Sequence, residues 1–111
     1  MMRIATELRV KALLRRCAVG GAAGFVMRRG DAERGALFVK VATLDGRAKL
    51  FGPPPASFDQ AVPDSELAAH LSPEGEPERE VDAYLAKQVE YDPDLWLVEI
   101  EDRAGRSFLD D

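Results

Sequence analysis

Cysteine and histidine are almost missing from this chain, which has one of each among its 111 residues, Cys17 and His70. A disulfide needs two cysteines, and structural zinc sites take four Cys or His ligands, so neither fits a single copy of the chain. Cys17 follows Val10 and Leu13 at helical spacing, which indicates a small core residue. A catalytic thiol would need a histidine or a helix N-terminus beside it. We therefore predict no metal site, no cofactor and no catalytic residue.

Long apolar runs are missing as well. No stretch approaches the roughly 20 apolar residues that a membrane-spanning helix needs. Charged side chains also interrupt residues 1–17, so this stretch lacks the apolar core of a signal peptide. We expect a single domain over residues 1–111, located in the cytoplasm and without a membrane partner.

Charge is present in quantity but is unevenly distributed. Residues 1–52 contain 11 Lys or Arg and 4 Asp or Glu, whereas residues 53–111 contain 4 and 16. The first part therefore carries a net charge of +7 and the second −12, which together give the net charge of −5. Such a split predicts two surfaces of opposite sign and permits self-association as well as binding to another protein.

The pattern of apolar residues predicts an α+β domain in which two helices pack with an antiparallel sheet of three to five strands, in the order (β)-α-β-β-β-α-β. Residues 3–10 alternate like a strand, while Val10, Leu13 and Cys17 recur at helical spacing. A short strand or extended lead-in should therefore precede a helix that ends near Val19 at Gly20-Gly21. The strands are expected at 24–29, 36–43, 47–52 and 96–101, with a short final strand ending at Leu109.

A second helix should begin at Pro77 and end near Asp92, because the residue before a proline is biased away from helical geometry. Its apolar stripe is Val81, Tyr84, Leu85 and Val89. Between the hairpin and this helix, residues 53–77 hold six of the seven prolines and predict a long surface loop within the domain. Residues 64–71 could form one or two helical turns inside that loop.

Asp45-Gly46 fits a two-residue type I′ turn between the second and third strands. That turn would place Val41 opposite Leu50 and Lys40 opposite Phe51. One face of the hairpin would then be core, and the other would mix two aromatic residues with cations. With two further arginines, this candidate binding surface comprises Phe38, Lys40, Arg47, Lys49, Phe51, Arg28 and Arg29. Such a surface is typical of single-stranded nucleic-acid binding, although burial of both phenylalanines under the second helix or the loop is favoured.

Acidic residues are concentrated near the C-terminus, where Trp96, Val98 and Ile100 alternate with Glu99 and Glu101. Two glutamates on one solvated strand face lack the different environments that a hydrolytic pair needs. A better interpretation is that they pair with cations of the hairpin if the last strand joins the same sheet.

The segments LLRRC, RRGD, GALFVKV, DGRAKLFGP and DPDLWLVEIEDR, taken together, resemble an alphaproteobacterial domain of unknown function, family 1491. The resemblance spans about residues 2–109 and is weakest over 56–76. It implies a bacterial, cytoplasmic protein with no assigned activity, so no functional residue is transferred. The chain is therefore interpreted as a small non-enzymatic module that binds a protein partner or itself. The alternatives are nucleic-acid binding and, less favoured, a hydrolase that uses the acidic cluster.

Overall fold

A computed structural model describes residues 4–53, 68–69 and 74–109. The domain is α+β, and one mixed sheet lies between two helices. The elements in chain order are α1 (Thr6–Val19), β1 (Ala23–Arg28), β2 (Leu37–Ala42), β3 (Arg47–Gly52), β4 (Ala68–Ala69), β5 (Glu76–Pro77), α2 (Glu78–Tyr91) and β6 (Trp96–Glu101). The sheet order is β1-β6-β2-β3-β4, and β5 also pairs with β3.

Helix α1 begins at Thr6, so the predicted strand or lead-in over residues 3–10 was wrong from that residue onward. The loop after β1 explains the early start, because its carbonyl groups accept hydrogen bonds from the first turn of the helix. The backbone N–H of Glu7 donates to Ala32 at 2.9 Å, and the Thr6 hydroxyl donates to the Gly35 carbonyl at 2.7 Å. These bonds satisfy donors that would otherwise lack a partner at a helix N-terminus. The helix ends at Val19 as predicted.

The sheet is mixed, so the predicted purely antiparallel sheet was wrong. Strand β6 lies between β1 and β2 and runs parallel to β2, with Leu37 beside Trp96 and Val41 beside Ile100. The three consecutive strands therefore do not form a meander. The side chains of β2 are buried on both faces, as expected of a central strand.

The hairpin of β2 and β3 forms, but its predicted pairing was wrong by one residue. Val41 pairs with Lys49 and Val39 with Phe51, because the loop has three residues rather than two. The backbone of Thr43 donates to the Arg47 carbonyl at 3.1 Å across this loop. A shift of one residue moves every side chain of β3 to the other face of the sheet.

The two sheet faces have separate cores. On one face, α1 contributes Val10, Leu13 and Cys17 to a cluster that includes the odd-numbered residues of β2. On the other face, Val81 and Leu85 of α2 pack with Phe38 and Leu50, and Tyr84 and Val89 border this cluster. The predicted apolar stripe of α2 is thus confirmed. The helices carry opposite charge, since α1 has four cations and one acid while α2 has two cations and four acids.

Two smaller predictions were also wrong. The predicted final strand does not form, and residues 105–109 instead run as irregular chain that buries Leu109 in the α1 core. Residues 68–69 pair with β3 as a short strand rather than forming part of a helical turn. The rest of 64–71, and most of the predicted loop 53–77, lie outside the described residues.

Candidate interaction surface

Lys40 is the centre of a cluster of charged side chains that joins β2, β6 and α2. It lies on β2 beneath α2, and its side chain is only 5% exposed. Its Nζ atom lies 2.7 Å from Asp82, 2.8 Å from Glu78 and 3.5 Å from Glu99. The expected pairing of Glu99 with a hairpin cation is therefore observed. Glu99 itself is 18% exposed.

Burial lowers the pKa of Lys40, but the hydrogen bonds that its ammonium group donates to Asp82 and Glu78, together with the charge of Glu99, outweigh this effect, so the pKa lies above its ordinary value. The lysine is therefore held as a cation that fastens the N-terminal half of α2 to the sheet. A protonated amine of this kind cannot act as a nucleophile or general base. No group of three or more His, Cys, Asp or Glu side chains in residues 4–53, 68–69 and 74–109 is arranged to hold a metal ion.

The two phenylalanines of the predicted binding surface lie on opposite faces of the sheet. Phe38 is 5% exposed and packs under α2, where its ring covers Gly52 on the neighbouring strand. Phe51 packs at the border of the core on the α1 side. Single-stranded nucleic-acid binding therefore stays a prediction, without the shared aromatic platform from which it was drawn.

The cations of the predicted surface are divided in the same way. Lys40 lies beneath α2, whereas Lys49 approaches the C-terminal segment, with Nζ 3.5 Å from the Gly105 carbonyl. Arg47 donates to the Gly75 carbonyl at 2.7 Å. Arg28 donates to the Pro93 carbonyl at 2.8 Å. Arg29 pairs with Glu7 at 2.7 Å and stacks over the Trp96 ring at 5.1 Å. These side chains do not form one continuous patch.

A second charged group lies where the C-terminal segment crosses α1. Asp102 accepts hydrogen bonds from the side chain of Arg106 at 2.7 and 3.0 Å, and the guanidinium holds the pKa of this carboxyl below its usual value. Arg106 also stacks on the Phe108 ring at 4.8 Å. Nearby, burial raises the pKa of the Cys17 thiol, which keeps it protonated and unreactive. The contacts of Arg106 with Asp102 and Phe108 anchor the C-terminal segment.

The open surface of the sheet lies at β1. Phe25 and Met27 are 47% and 56% exposed, whereas Val26 between them packs toward the α1 core. Phe25 pairs with Glu99 and Ala23 with Glu101 across the two strands. We call this surface the β1 shelf, formed by Ala23, Phe25 and Met27 of β1 and by Leu97, Glu99 and Glu101 of β6. It is apolar toward the edge of the sheet and acidic toward its middle.

The two edges of the sheet differ in how they are covered. Strand β3 is paired along its outer side by the short strands β4 and β5. Strand β1 ends the sheet at the other side, and none of the described residues pairs with its outer edge. Its backbone N–H and C=O groups on that side are therefore available to an extended chain.

The sequence prediction did not identify the β1 shelf. It left open where β6 joins the sheet, so it did not show that the outer edge of β1 is open. The alternation of GFVMRR contains the available signal, because apolar Phe25 and Met27 occupy the positions that face away from α1. Without the position of β6, however, that alternation does not show which side of the strand remains open.

Comparisons with known proteins give a family match over most of the chain. The profile described as "Protein of unknown function (DUF1491)" matches residues 4–110. A crystal structure of a DUF1491 family protein from Caulobacter crescentus CB15 is 39% identical with a TM-score of 0.77, covering 97% of this chain and 95% of that one. An NMR structure of a family protein from the same organism is also 39% identical, with a TM-score of 0.75 and coverage of 98% and 94%.

A solution structure of a protein from A. tumefaciens is 36% identical with a TM-score of 0.72, covering 90% of this chain and 86% of that one. No protein with a curated description matches. Neither helix in the described part of the chain is long and apolar enough to cross a membrane.

Proposed function

The chain belongs to the DUF1491 family, whose description gives no activity. From its surfaces, we propose that it is a protein-interaction module. It would bind an extended segment of a partner along the outer edge of β1. The observation that supports this proposal is that no described residue pairs with the outer edge of β1, on a strand with two exposed apolar side chains, Phe25 and Met27. An added strand takes its affinity from main-chain hydrogen bonds and its specificity from alternate side chains.

The chemistry of the β1 shelf indicates which segment would fit. Apolar side chains on the incoming strand would cover Phe25 and Met27, which are now in contact with water. Basic side chains would lie near Glu101, which is exposed, and near Glu99. Glu99 already contacts Lys40, so Glu101 would provide most of the attraction. The preferred partner is therefore an extended segment that carries both apolar and basic side chains on the face that meets the β1 shelf.

The proposal is tested by titrating the isotopically labelled protein with two short peptides and following backbone amide resonances. One peptide carries valine and lysine side chains on the face that would meet the β1 shelf, and the other carries valine and glutamate there. We expect the lysine peptide to shift the resonances of residues 23–28 and Glu101, and the glutamate peptide to bind more weakly. If neither peptide shifts residues 23–28, the proposal is wrong.

Variants distinguish specific binding at the β1 shelf from nonspecific hydrophobic binding. Phe25→Gln and Met27→Gln should weaken binding of the lysine peptide, because each removes exposed apolar area that the peptide would cover. Leu8→Gln is the matched control, since Leu8 is 58% exposed, close to the 56% of Met27, but lies on α1. Equal weakening by all three substitutions would contradict a site at β1.

A further inference from the structure

We infer that the extended segment which adds to β1 is β1 of a second copy, so that two molecules pair these strands antiparallel about a two-fold axis. This inference rests on the proposed function, because it uses the same edge. It goes further by naming the partner. A two-fold interface requires one surface to complement itself.

Strand β1 has the composition that its own shelf requires of a partner. It carries exposed Phe25 and Met27, and the cations Arg28 and Arg29 follow at its C-terminal end. The acids of the shelf lie beside the N-terminal half of the strand, where Ala23 pairs with Glu101 and Phe25 with Glu99. The strand is thus basic at one end and has acidic neighbours at the other.

Antiparallel pairing brings these unlike ends together twice. If Phe25 lies opposite Phe25 of the second copy, Met27 lies opposite the small Ala23, and the Arg28 end approaches the Glu101 end of the other molecule. The two rings would meet in the middle as a cross-strand aromatic pair, a favourable contact in sheets. Parallel pairing would instead set like charges side by side.

The edge of β1 lacks some of the features that keep exposed strands from pairing. Such strands are usually very short, contain proline or charged residues (lysine above all), carry a β-bulge, or are covered by other chain. Strand β1 has six residues, AGFVMR, with neither proline nor lysine. One irregularity in register between Val26 and Arg28 interrupts it. That irregularity lies at the basic end and leaves Ala23 to Val26 in regular pairing with β6.

Sedimentation equilibrium over a series of protein concentrations tests the inference. We expect a reversible monomer–dimer equilibrium that shifts toward monomer at high salt. Arg28→Glu and Glu101→Arg should each raise the dimer dissociation constant by about threefold to tenfold, since each substitution alters two ion pairs that the two-fold axis relates. The double variant, which exchanges the charges, should return to within about twofold of the original value.

Phe25→Gln should weaken the dimer further, whereas Leu8→Gln should not. Because Arg28 also bonds to the Pro93 carbonyl, thermal unfolding of each variant checks that the fold is retained. Glu101→Arg, at an exposed position, provides the test should Arg28→Glu unfold.

The two proposals fail in different ways. A monomer at every concentration, together with binding of the valine–lysine peptide at residues 23–28, overturns self-pairing and leaves the interaction module intact. A dimer that is insensitive to Phe25, Arg28 and Glu101 overturns self-pairing through β1. A dimer that the peptide dissociates supports both proposals, because both ligands then compete for one edge.

Discussion

Phe25 on β1 lies directly opposite Glu99 on β6, so an exposed aromatic ring borders a carboxylate that contacts a buried lysine. The acidic side of the β1 shelf is therefore continuous with the cluster that fastens α2 to the sheet. Lys40 contacts Glu99 from the neighbouring strand β2 at 3.5 Å, whereas Glu101, two residues further along β6, is exposed. The surface thus offers apolar area and one largely free negative charge beside an open strand edge.

The lysine cluster should behave as a coupled unit. Lys40→Met keeps the length and apolar packing of the side chain but leaves Glu99 half-buried without its cation. We expect the free energy of unfolding to fall by about 1–3 kcal/mol, the cost of leaving a charged group unsatisfied. Adding Glu99→Gln should recover part of this loss. Urea unfolding of the two single variants and the double variant measures the coupling, and purely additive effects would contradict the contact.

The same lysine should make stability depend on alkaline pH. The folded-state pKa of Lys40 is raised, so its contribution is fully present below the unfolded value of about 10.4 and is lost as pH rises through the folded value. Unfolding measured on either side of pH ~10 should show the wild type losing stability relative to Lys40→Met. Parallel curves for the two proteins across that range would show that the acidic neighbours of Lys40 do not stabilise the folded protein.

Asp102 should act at the acidic end of the pH range. Hydrogen bonds from Arg106 lower the folded-state pKa of this carboxyl. Its contribution is present above the unfolded value of about 3.9 and is lost as pH falls through the lower folded value. Asp102→Asn should therefore flatten the pH dependence of the unfolding midpoint below pH ~4. A variant with the slope of the wild type in that window would contradict the role assigned to the Arg106 contact.

The hairpin loop gives a prediction about backbone geometry. Leu44 has a φ of 66°, in the left-handed region that leucine rarely adopts, and its side chain is 46% exposed. Leu44→Gly should therefore stabilise the protein by about 0.5–1 kcal/mol, because glycine adopts this conformation without strain. In the two-residue turn expected from the sequence, Leu44 would end a strand, and the same substitution would destabilise it. Thermal unfolding distinguishes these cases.

Local patterns in the sequence predicted the helix end at Val19, the helix end at Tyr91 and the bounds of the hairpin strands to within one residue, and the two faces of β6. Each depends on neighbouring residues, such as the glycines after α1 or the proline after α2. The error at Asp45-Gly46 was also local. The Asp45 carboxylate accepts bonds from the Thr43 hydroxyl and the Arg47 backbone N–H, which stabilises a three-residue loop. That extra residue moved Phe51 away from Phe38.

The position of β6 could not be read from local patterns. Its pairing with β2 joins residues far apart in the chain, and its alternation of apolar and acidic residues fits an antiparallel edge as well as a parallel central strand. Because β6 separates β1 from β2, the open edge, and hence the β1 shelf, followed from tertiary packing alone.

Amide hydrogen exchange at residues 22–29 tests the central claim most directly. These amides should become more protected as the protein concentration rises and when the valine–lysine peptide is added, while the exchange of the α1 amides stays unchanged. Exchange at residues 22–29 that is indifferent to both protein concentration and peptide would contradict a binding role for the edge of β1.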